Sequence, residues 1–576
     1  MSRTTTMKGF ALVAVLGLGL TACTSSSSSS NPSSSGSSAS GGSSTAKTLV
    51  IEDNPEPSFA NNFNPLTSTS ASSTENTNSL IYEPLFMINS LNASEAPLPW
   101  LGKSYAWSNG NRTLTLTLQS GVKWSDGQAF SSADVAFTFN LLKKFPAANT
   151  GSAPTPSSIT TPDVNTVVMT FASAESANFV GIANQLILPQ HLWSSIANPV
   201  TAVIPAAQAI GTGPFLIDKF GTQDITYKVN PSYWGTKPKV PEISLPAYAT
   251  NDAATLALAS GDIDLTGNDI ANVQSVFVAK DPANNHLFQS TAPYYPAGNT
   301  VSLLLNNKSP NAPALADVKV RQAISAGVDR ASLASQCETN YEAPATSSGG
   351  VTLPTDSGAL DPSLANDLQS GADTSKVTSL LQSDGYTKSG GKWTKDGKPI
   401  KFTIIDPNSF GDYWCDAQAI ASGLNSQGFD VTANGGYTGD TWGTAVSNGN
   451  FDATLHWGQG STTFQRLQFI LDPSTTAPIG QTAGGDLERY SSPAATTAIS
   501  AYENATTPAA ETAALDSLQQ LMSTDVPAVP VLYGAAWYQY SSLNYTGWPT
   551  SANPYISPTP NSQGYEYIIL HLTPVS

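Results

Sequence analysis

The chain has 576 residues, a charged fraction of only 12% and a formal net charge of −17. So acidic a chain is a poor partner for nucleic acid, whose phosphates are neutralised by clustered Lys and Arg. Its length leaves room for a large core or for several lobes.

Export signals come first along the chain. Arg3 and Lys8 form a short basic region, and Phe10 to Leu20 is an apolar run of 11 residues. A bilayer span needs about 20, whereas a run of this length suits a signal-peptide core. It ends in Leu20-Thr21-Ala22-Cys23, which resembles a bacterial lipobox. An ordinary cleaved signal with an incidental cysteine is the alternative. Residues 1–22 are expected to be a lipoprotein signal peptide, and 23–46 a lipidated Cys23 followed by a Ser/Gly-rich flexible tether. Acyl chains on Cys23 would hold the chain at the extracellular face of the cell membrane.

Thr113 to Gln119 alternates leucine with threonine and predicts a half-buried strand. Ser131 with Asp134 forms a weak capping box, and Val135, Phe139 and Leu142 then share one helical face. Asn165 to Phe171, Val301 to Leu305 and Phe402 to Ile405 read as strands. Asp317 to Gln336 is predicted as one helix with Val320, Ile324 and Val328 in a stripe, and Ala510 to Met522 as another with Leu515, Leu518 and Met522 aligned. Interspersed strands and helices over this length predict an α/β protein of more than one lobe. Cys337 and Cys415 form an even pair in an exported chain, a pattern that suggests one disulfide. Closing a loop of 78 residues would stabilise by about 4 kcal/mol on the chain-entropy model; two free thiols are the alternative. No CxxC pair exists, so no cysteine zinc site or redox motif is indicated.

Nine segments resemble the extracellular solute-binding proteins of family 5, the peptide, nickel and oligosaccharide group of ABC importers. They are Phe63-Asn64-Pro65-Leu66; Ile81-Tyr82-Glu83-Pro84-Leu85-Phe86; Gly121-Val122-Lys123-Trp124-Ser125-Asp126-Gly127 with Asp134-Val135; Leu188-Pro189-Gln190-His191; Gly211-Thr212-Gly213-Pro214-Phe215; Asn230-Pro231-Ser232-Tyr233-Trp234-Gly235; Ser260-Gly261-Asp262-Ile263-Asp264; Val320-Arg321-Gln322-Ala323-Ile324 with Asp329-Arg330; and Pro527-Ala528-Val529-Pro530-Val531-Leu532-Tyr533. The resemblance implies an α/β, two-lobed clamshell like the periplasmic binding proteins, with a subdomain inserted in the first lobe. Expected boundaries are 47–80, 211–300 and 533–576 for lobe I, 81–210 for the inserted subdomain and 301–532 for lobe II. It also implies a monomeric, non-enzymatic receptor without cofactor. Its lobes would close on a solute, and the closed form would dock on an ABC permease served by ATPase subunits inside the cell.

Most matching residues read as structural. Gly211, Gly213 and Pro214 fit a tight turn entering a strand. Trp124 and Trp234 fit packing, and Arg321 with Asp329 fits a surface or inter-helix pair. Family members that take peptides place an aspartate after a Trp of the second lobe, to hold the α-ammonium. Here no acidic residue follows Trp457 before Asp472, which weakens a dipeptide-type reading, because an unpaired buried ammonium is costly. The expected second lobe is instead rich in aromatics: Tyr413, Trp414, Trp442, Trp457, Trp537 and Trp548. Indoles stack on sugar rings and side-chain amides satisfy hydroxyls, so oligosaccharide stands level with oligopeptide. Candidate ligand contacts are Asn61, Asn62, Phe63, Tyr413, Trp414, Trp442, Trp457 and Gln459, with core packing the competing role for each Trp. The histidines at 191, 286, 456 and 571 are scattered, without an i, i+4 pair, which disfavours nickel. A lipid-anchored hydrolase of oligomers is the other alternative, but HExxH, GxSxG and Walker motifs are missing.

Overall fold

The computed structural model describes residues 47–53, 55–92, 95–151, 153–559 and 564–575. The signal peptide, Cys23 and tether expected over 1–46 lie outside the described residues. Two large mixed sheets organise the rest. The first runs Asn285–Leu287, Gln539–Ser541, Leu265–Thr266, Leu49–Glu52, Glu242–Pro246, Asp224–Val229, Phe215–Phe220. Leu49–Glu52 lies parallel to both its neighbours. The second runs Ala343–Pro344, Ala528–Ala535, Ala297–Leu305, Ala453–Trp457, Lys401–Ile405, Asp430–Asn434. Its last three strands are mutually parallel.

Parallel strands need cover on their faces. Helices Val318–Gly327 and Gly411–Ser426 supply it on one face, packing Val320, Ile324, Ala417 and Leu424 with Val301, Leu303, Phe402 and Ile404 in one core. Thr463–Leu471, Pro493–Glu503 and Pro508–Asp525 pack Leu467, Ala495 and Leu518 against Leu304 and Ala528 on the other. The chain crosses between the sheets at 288–296 and 536–538. Strand residues 297–300 and 533–535, expected in lobe I, thus belong to the second sheet.

A four-stranded antiparallel sheet, Gly102–Ser108, Thr113–Leu118, Thr166–Thr170, Ser158–Asp163, forms the insertion. Leu114, Leu116 and Leu118 are buried and the threonines between them half-buried, as the alternation requires. Helix Ser132–Lys144 starts at the Ser131/Asp134 capping box. This sheet shares its core with the seven-stranded sheet, whereas the second lobe has cores of its own. The insertion also reaches across: Asn111 Nδ2 donates to the Ala505 carbonyl at 2.8 Å, and Ala177 packs on the second lobe.

The structure corrects three readings. Asp317 to Gln336 is two helices, Val318–Gly327 and Arg330–Gln336, because Asp329 turns to cap the second, accepting the Ser332 N–H at 3.1 Å. Arg321 makes no pair with Asp329; it is buried and donates to the carbonyls of Leu315, Asp525 and Val526, the last two closing the C-terminus of Pro508–Asp525. Gly211 and Gly213 are needed for close approach rather than for a turn. A Cβ on either would lie 1.7 Å and 2.4 Å from the carbonyl oxygens of Ile81 and Leu80.

The segment that begins at Ile81 folds around Glu83, which is fully buried. Its carboxylate accepts Trp100 Nε1 at 2.8 Å, Tyr233 OH at 3.1 Å and Trp234 Nε1 at 2.7 Å. Burial raises it to about 7, against these donors, and raises its neighbour Glu566 well above the usual range, the Glu83 charge adding to the effect. The expected packing role of Trp234 therefore has a polar half. Glu83→Ala takes the acceptor from the indole N–H groups of buried Trp100 and half-buried Trp234, while Tyr233 OH keeps Glu566 Oε1 at 3.4 Å; it is expected to cost about 2–3 kcal/mol in urea unfolding, whereas Glu83→Gln, which keeps an acceptor, is expected to cost less.

Candidate functional site

In open α/β sheets ligands bind beyond the carboxyl ends of parallel strands. Here those ends bring acids to the junction of the lobes. Asp269 follows strand Leu265–Thr266, and Asp412 opens helix Gly411–Ser426 of the second lobe. Asp269 keeps an exposed edge, yet desolvation by the surrounding protein raises it to about 6, and the Asp412 charge opposite adds to the effect. Behind them stand Glu338, Glu342 and Asp416. Burial pushes Glu338 up to about 11, helped by the charges of Glu342, Asp416, Asp412 and Asp269. Burial likewise raises Glu342 and Asp416 well above the carboxylate range. Glu342 Oε1 accepts the Ala535 N–H at 2.9 Å, while its Oε2 has no partner. Among the described residues, no Lys, Arg or His forms an ion pair with any of the five.

A disulfide places two of these acids side by side. Cys337 and Cys415 are bonded with S–S 2.00 Å and Cα–Cα 5.5 Å. Each is followed directly by an acid, Glu338 and Asp416, and the Asp416 charge helps to raise Glu338. Two neighbouring buried acids disfavour carrying two charges at once.

Aromatic rings flank the acids. Tyr413 and Trp457 lie near parallel, with centroids 6.5 Å apart at 25°, and both are half-buried. His456 stacks behind Trp457 at 4.9 Å, and burial pushes its imidazole down to about 4, so it is neutral. On the crossing segments Trp537 meets Tyr295 edge-on at 4.8 Å and Tyr341 at 5.9 Å. These rings are held by hydrogen bonds from the first lobe and the crossing: the Val273 N–H to Tyr341 OH at 2.9 Å and Gln539 Nε2 to Tyr295 OH at 2.8 Å. A second acid group lies in the first lobe. Burial raises Glu52 to about 7, Asp53 to about 6 and Glu75 to about 9. Thr266 and Asn268 donate to Glu52, and Asn76 to Asp53.

Of the eight expected contacts, Tyr413 and Trp457 come together at the junction, and Gln459 lies exposed two residues beyond Trp457. Trp414 is half-buried on the same helix and packs into the core of the second lobe. Trp442 is buried behind Trp457 and donates Nε1 to Thr454 Oγ1 at 2.8 Å. Asn61, Asn62 and Phe63 do not join the group. Phe63 is fully buried in the first-lobe core, and the two amides accept the Ala206 and Ile204 N–H groups at 2.9 and 3.0 Å. Trp548 also belongs to the first-lobe core, donating to the Tyr545 carbonyl. The five acids were missed, although the sequence carries a signal for four of them: Glu338 and Glu342, like Asp412 and Asp416, are four residues apart beside a cysteine.

Two α/β lobes meeting at a junction of rings and acids, reached by solvent at Asp269 and Gln459, define a two-lobed solute-binding protein. The profile described as bacterial extracellular solute-binding proteins, family 5 Middle, matches residues 96–475, and the chain belongs to that family. Its members are solute carriers and not enzymes. A Brucella ovis relative, named for peptide binding in an ABC transporter, is 32% identical over 225 residues, 38% of this chain and 42% of its own length. The match thus spans less than half of that relative. A solved periplasmic oligopeptide-binding protein of a Thermotoga maritima oligopeptide ABC transporter is 22% identical, with TM-score 0.82 over 92% of this chain and 100% of that one. Its mannohexaose-bound form is 22% identical, with TM-score 0.75 over 92% and 99%.

Carboxyls raised in the fold keep protons that the unfolded chain has already lost. The stability this adds is complete below the unfolded value and disappears as pH rises through the folded one. His456, held neutral, works the other way, but only below about 6.5. Between roughly pH 6.5 and 9 the acids therefore decide the slope, with Glu52, Glu83 and Asp406 at about 7, Asp486 at about 8 and Glu75 at about 9. The melting temperature is expected to fall steadily across this window in calorimetry, and a rise would contradict the assignment.

Proposed function

We propose that this chain is the substrate-binding lipoprotein of an ABC importer, which captures an extracellular oligopeptide or oligosaccharide between its lobes and delivers it to a membrane permease. The observation that carries the reading is the half-buried Tyr413–Trp457 platform beside Asp412, facing Asp269 of the other lobe. A solute touching both walls interacts with the closed form more than with the open one. That difference bounds how far it shifts the equilibrium. Support for the ligand classes comes from the names of similar proteins, the Brucella relative with its peptide and the Thermotoga protein with its mannohexaose. Nickel capture finds less support, since among the described residues no group of three His, Cys, Asp or Glu has metal-binding spacing.

The lipobox-like segment supports an anchor at the extracellular face, and family membership supports permease and ATPase subunits as partners of a receptor we take as monomeric. Cys23→Ser is expected to move the protein from the membrane fraction to the medium; retention on membranes would refute the anchor.

Capture is tested by thermal-shift screening of pooled peptides and oligosaccharides. A ligand at 100 times its Kd stabilises by about 2.7 kcal/mol, so a hit is plainly visible, and no shift with any pool contradicts the reading. Trp457→Ala is expected to weaken the hit about tenfold or more, the loss of one stacking contact, with little change in melting temperature. Unchanged affinity with a large drop in melting temperature would make Trp457 a core residue only.

A further inference from the structure

We propose that the tip of the inserted hairpin is a latch: the Asn111 side-chain amide fastens the first lobe to the loop between helices Pro493–Glu503 and Pro508–Asp525, and so favours the closed form of the lobes before any solute arrives. The inference holds whatever the solute is, and it goes beyond the capture reading.

The insertion shares one core with the seven-stranded sheet, whereas the second lobe has cores of its own. The insertion therefore moves with the first lobe. The chain itself joins the lobes at the crossings 288–296 and 536–538. The hairpin tip adds a connection that is not covalent and can open. Asn111 and Ala505 lie 394 residues apart in sequence. Neither belongs to the crossings or to the rings and acids of the junction.

The tip holds its amide in place from both sides. Asn109, Gly110 and Asn111 have φ of 53°, 61° and 60°. Asn and Gly accept this left-handed region, in which other residues are strained. The Asn111 carbonyl accepts the Glu175 N–H at 2.9 Å, which ties the tip to the turn Ser176–Asn178. Glu175 braces that turn, its carboxylate accepting Ser173 Oγ at 2.8 Å and Asn178 Nδ2 at 2.9 Å. The turn lies against helix Pro493–Glu503, where Ala177 packs with a core of the second lobe. From this base Asn111 Nδ2 donates to the Ala505 carbonyl at 2.8 Å. The acceptor is fixed as well: Ala505 is buried, and its N–H donates to the Tyr502 carbonyl at 3.0 Å.

A hydrogen bond is lost once donor and acceptor separate beyond about 3.5 Å, so a hinge motion of about 1 Å at the tip breaks this one. The net gain from one such bond corresponds to a change of about two- to tenfold in the ratio of closed to open lobes. That biases the equilibrium without jamming it. A solute that prefers the closed form binds better when that form is already populated. Asn111 is in this sense a positioning residue, which acts on capture without touching what is captured.

The test is the distance between the lobes in the full mature chain, read by double electron–electron resonance. Nitroxides are placed on Leu256→Cys of the first lobe and Ser379→Cys of the second, both exposed helix positions. Two substitutions remove the donor and keep the turn: Asn111→Gly, which retains the left-handed backbone, and Asn111→Asp, which has the same shape and, ionised, only accepts hydrogen bonds. Each is expected to move the population about two- to tenfold toward the longer distance. Hydrogen exchange is expected to quicken at 503–507 and to stay unchanged in strand Thr113–Leu118. A distance distribution that neither substitution alters overturns the latch. Exchange that quickens in Thr113–Leu118 as well also overturns it, because Asn111 would then support only its own sheet. No solute is added, so failure here is distinct from failure of capture, which the thermal-shift screen reads.

Discussion

Glu338 and Asp416 stand side by side because the Cys337–Cys415 bond leaves them little choice. A covalent link between segments 78 residues apart overrides the repulsion that would otherwise separate two carboxylates. The remaining acids gather around that pair: Glu342 four residues beyond Glu338 across a turn with positive φ at Thr339 and Asn340, Asp412 one helical turn from Asp416, and Asp269 arriving from the other lobe. The result is a wall whose charge is held down by burial and by the acids' mutual repulsion. Its electrostatic state is therefore sensitive to whatever enters between the lobes.

The same solution recurs away from the junction. Glu83 and Glu566 are buried together in the first lobe, with two indoles and a tyrosine as donors. Glu52, Asp53 and Glu75 form a third group. A chain of net charge −17 with 25 Lys and Arg against 42 Asp and Glu has too few cations to pair every acid it buries. Protonation and neutral donors take their place. This links composition to behaviour: the fold favours conditions in which the buried acids keep their protons.

Much of the secondary structure was legible because it depends on local pattern. Leu114, Leu116 and Leu118 alternate, and the strand they predict is there. Ser131 and Asp134 form the expected box. Where the reading failed, a distant partner was the cause. The 317–336 helix breaks because Asp329 finds a cap in its own next turn and Arg321 finds carbonyls some 200 residues away. Gly211 and Gly213 are required by the backbone of Ile81 and Leu80, more than 100 residues earlier. The side-chain oxygens of Asn61 and Asn62 likewise accept from a distant loop, at 204–206.

The sequence by itself determined the α/β class, the family and the aromatic character of the second lobe, since periodicity, turn chemistry and short motifs are carried by neighbouring residues. Tyr413 and Trp457 could be named from it, but not their partnership, nor the burial of Trp442 and Phe63. Only the tertiary structure decided that Asp269, Glu338, Glu342, Asp412 and Asp416 share one place. The physical reason is that charge acts through space: acids from three separate stretches of chain become one electrostatic unit only after two sheets and a disulfide have brought them together.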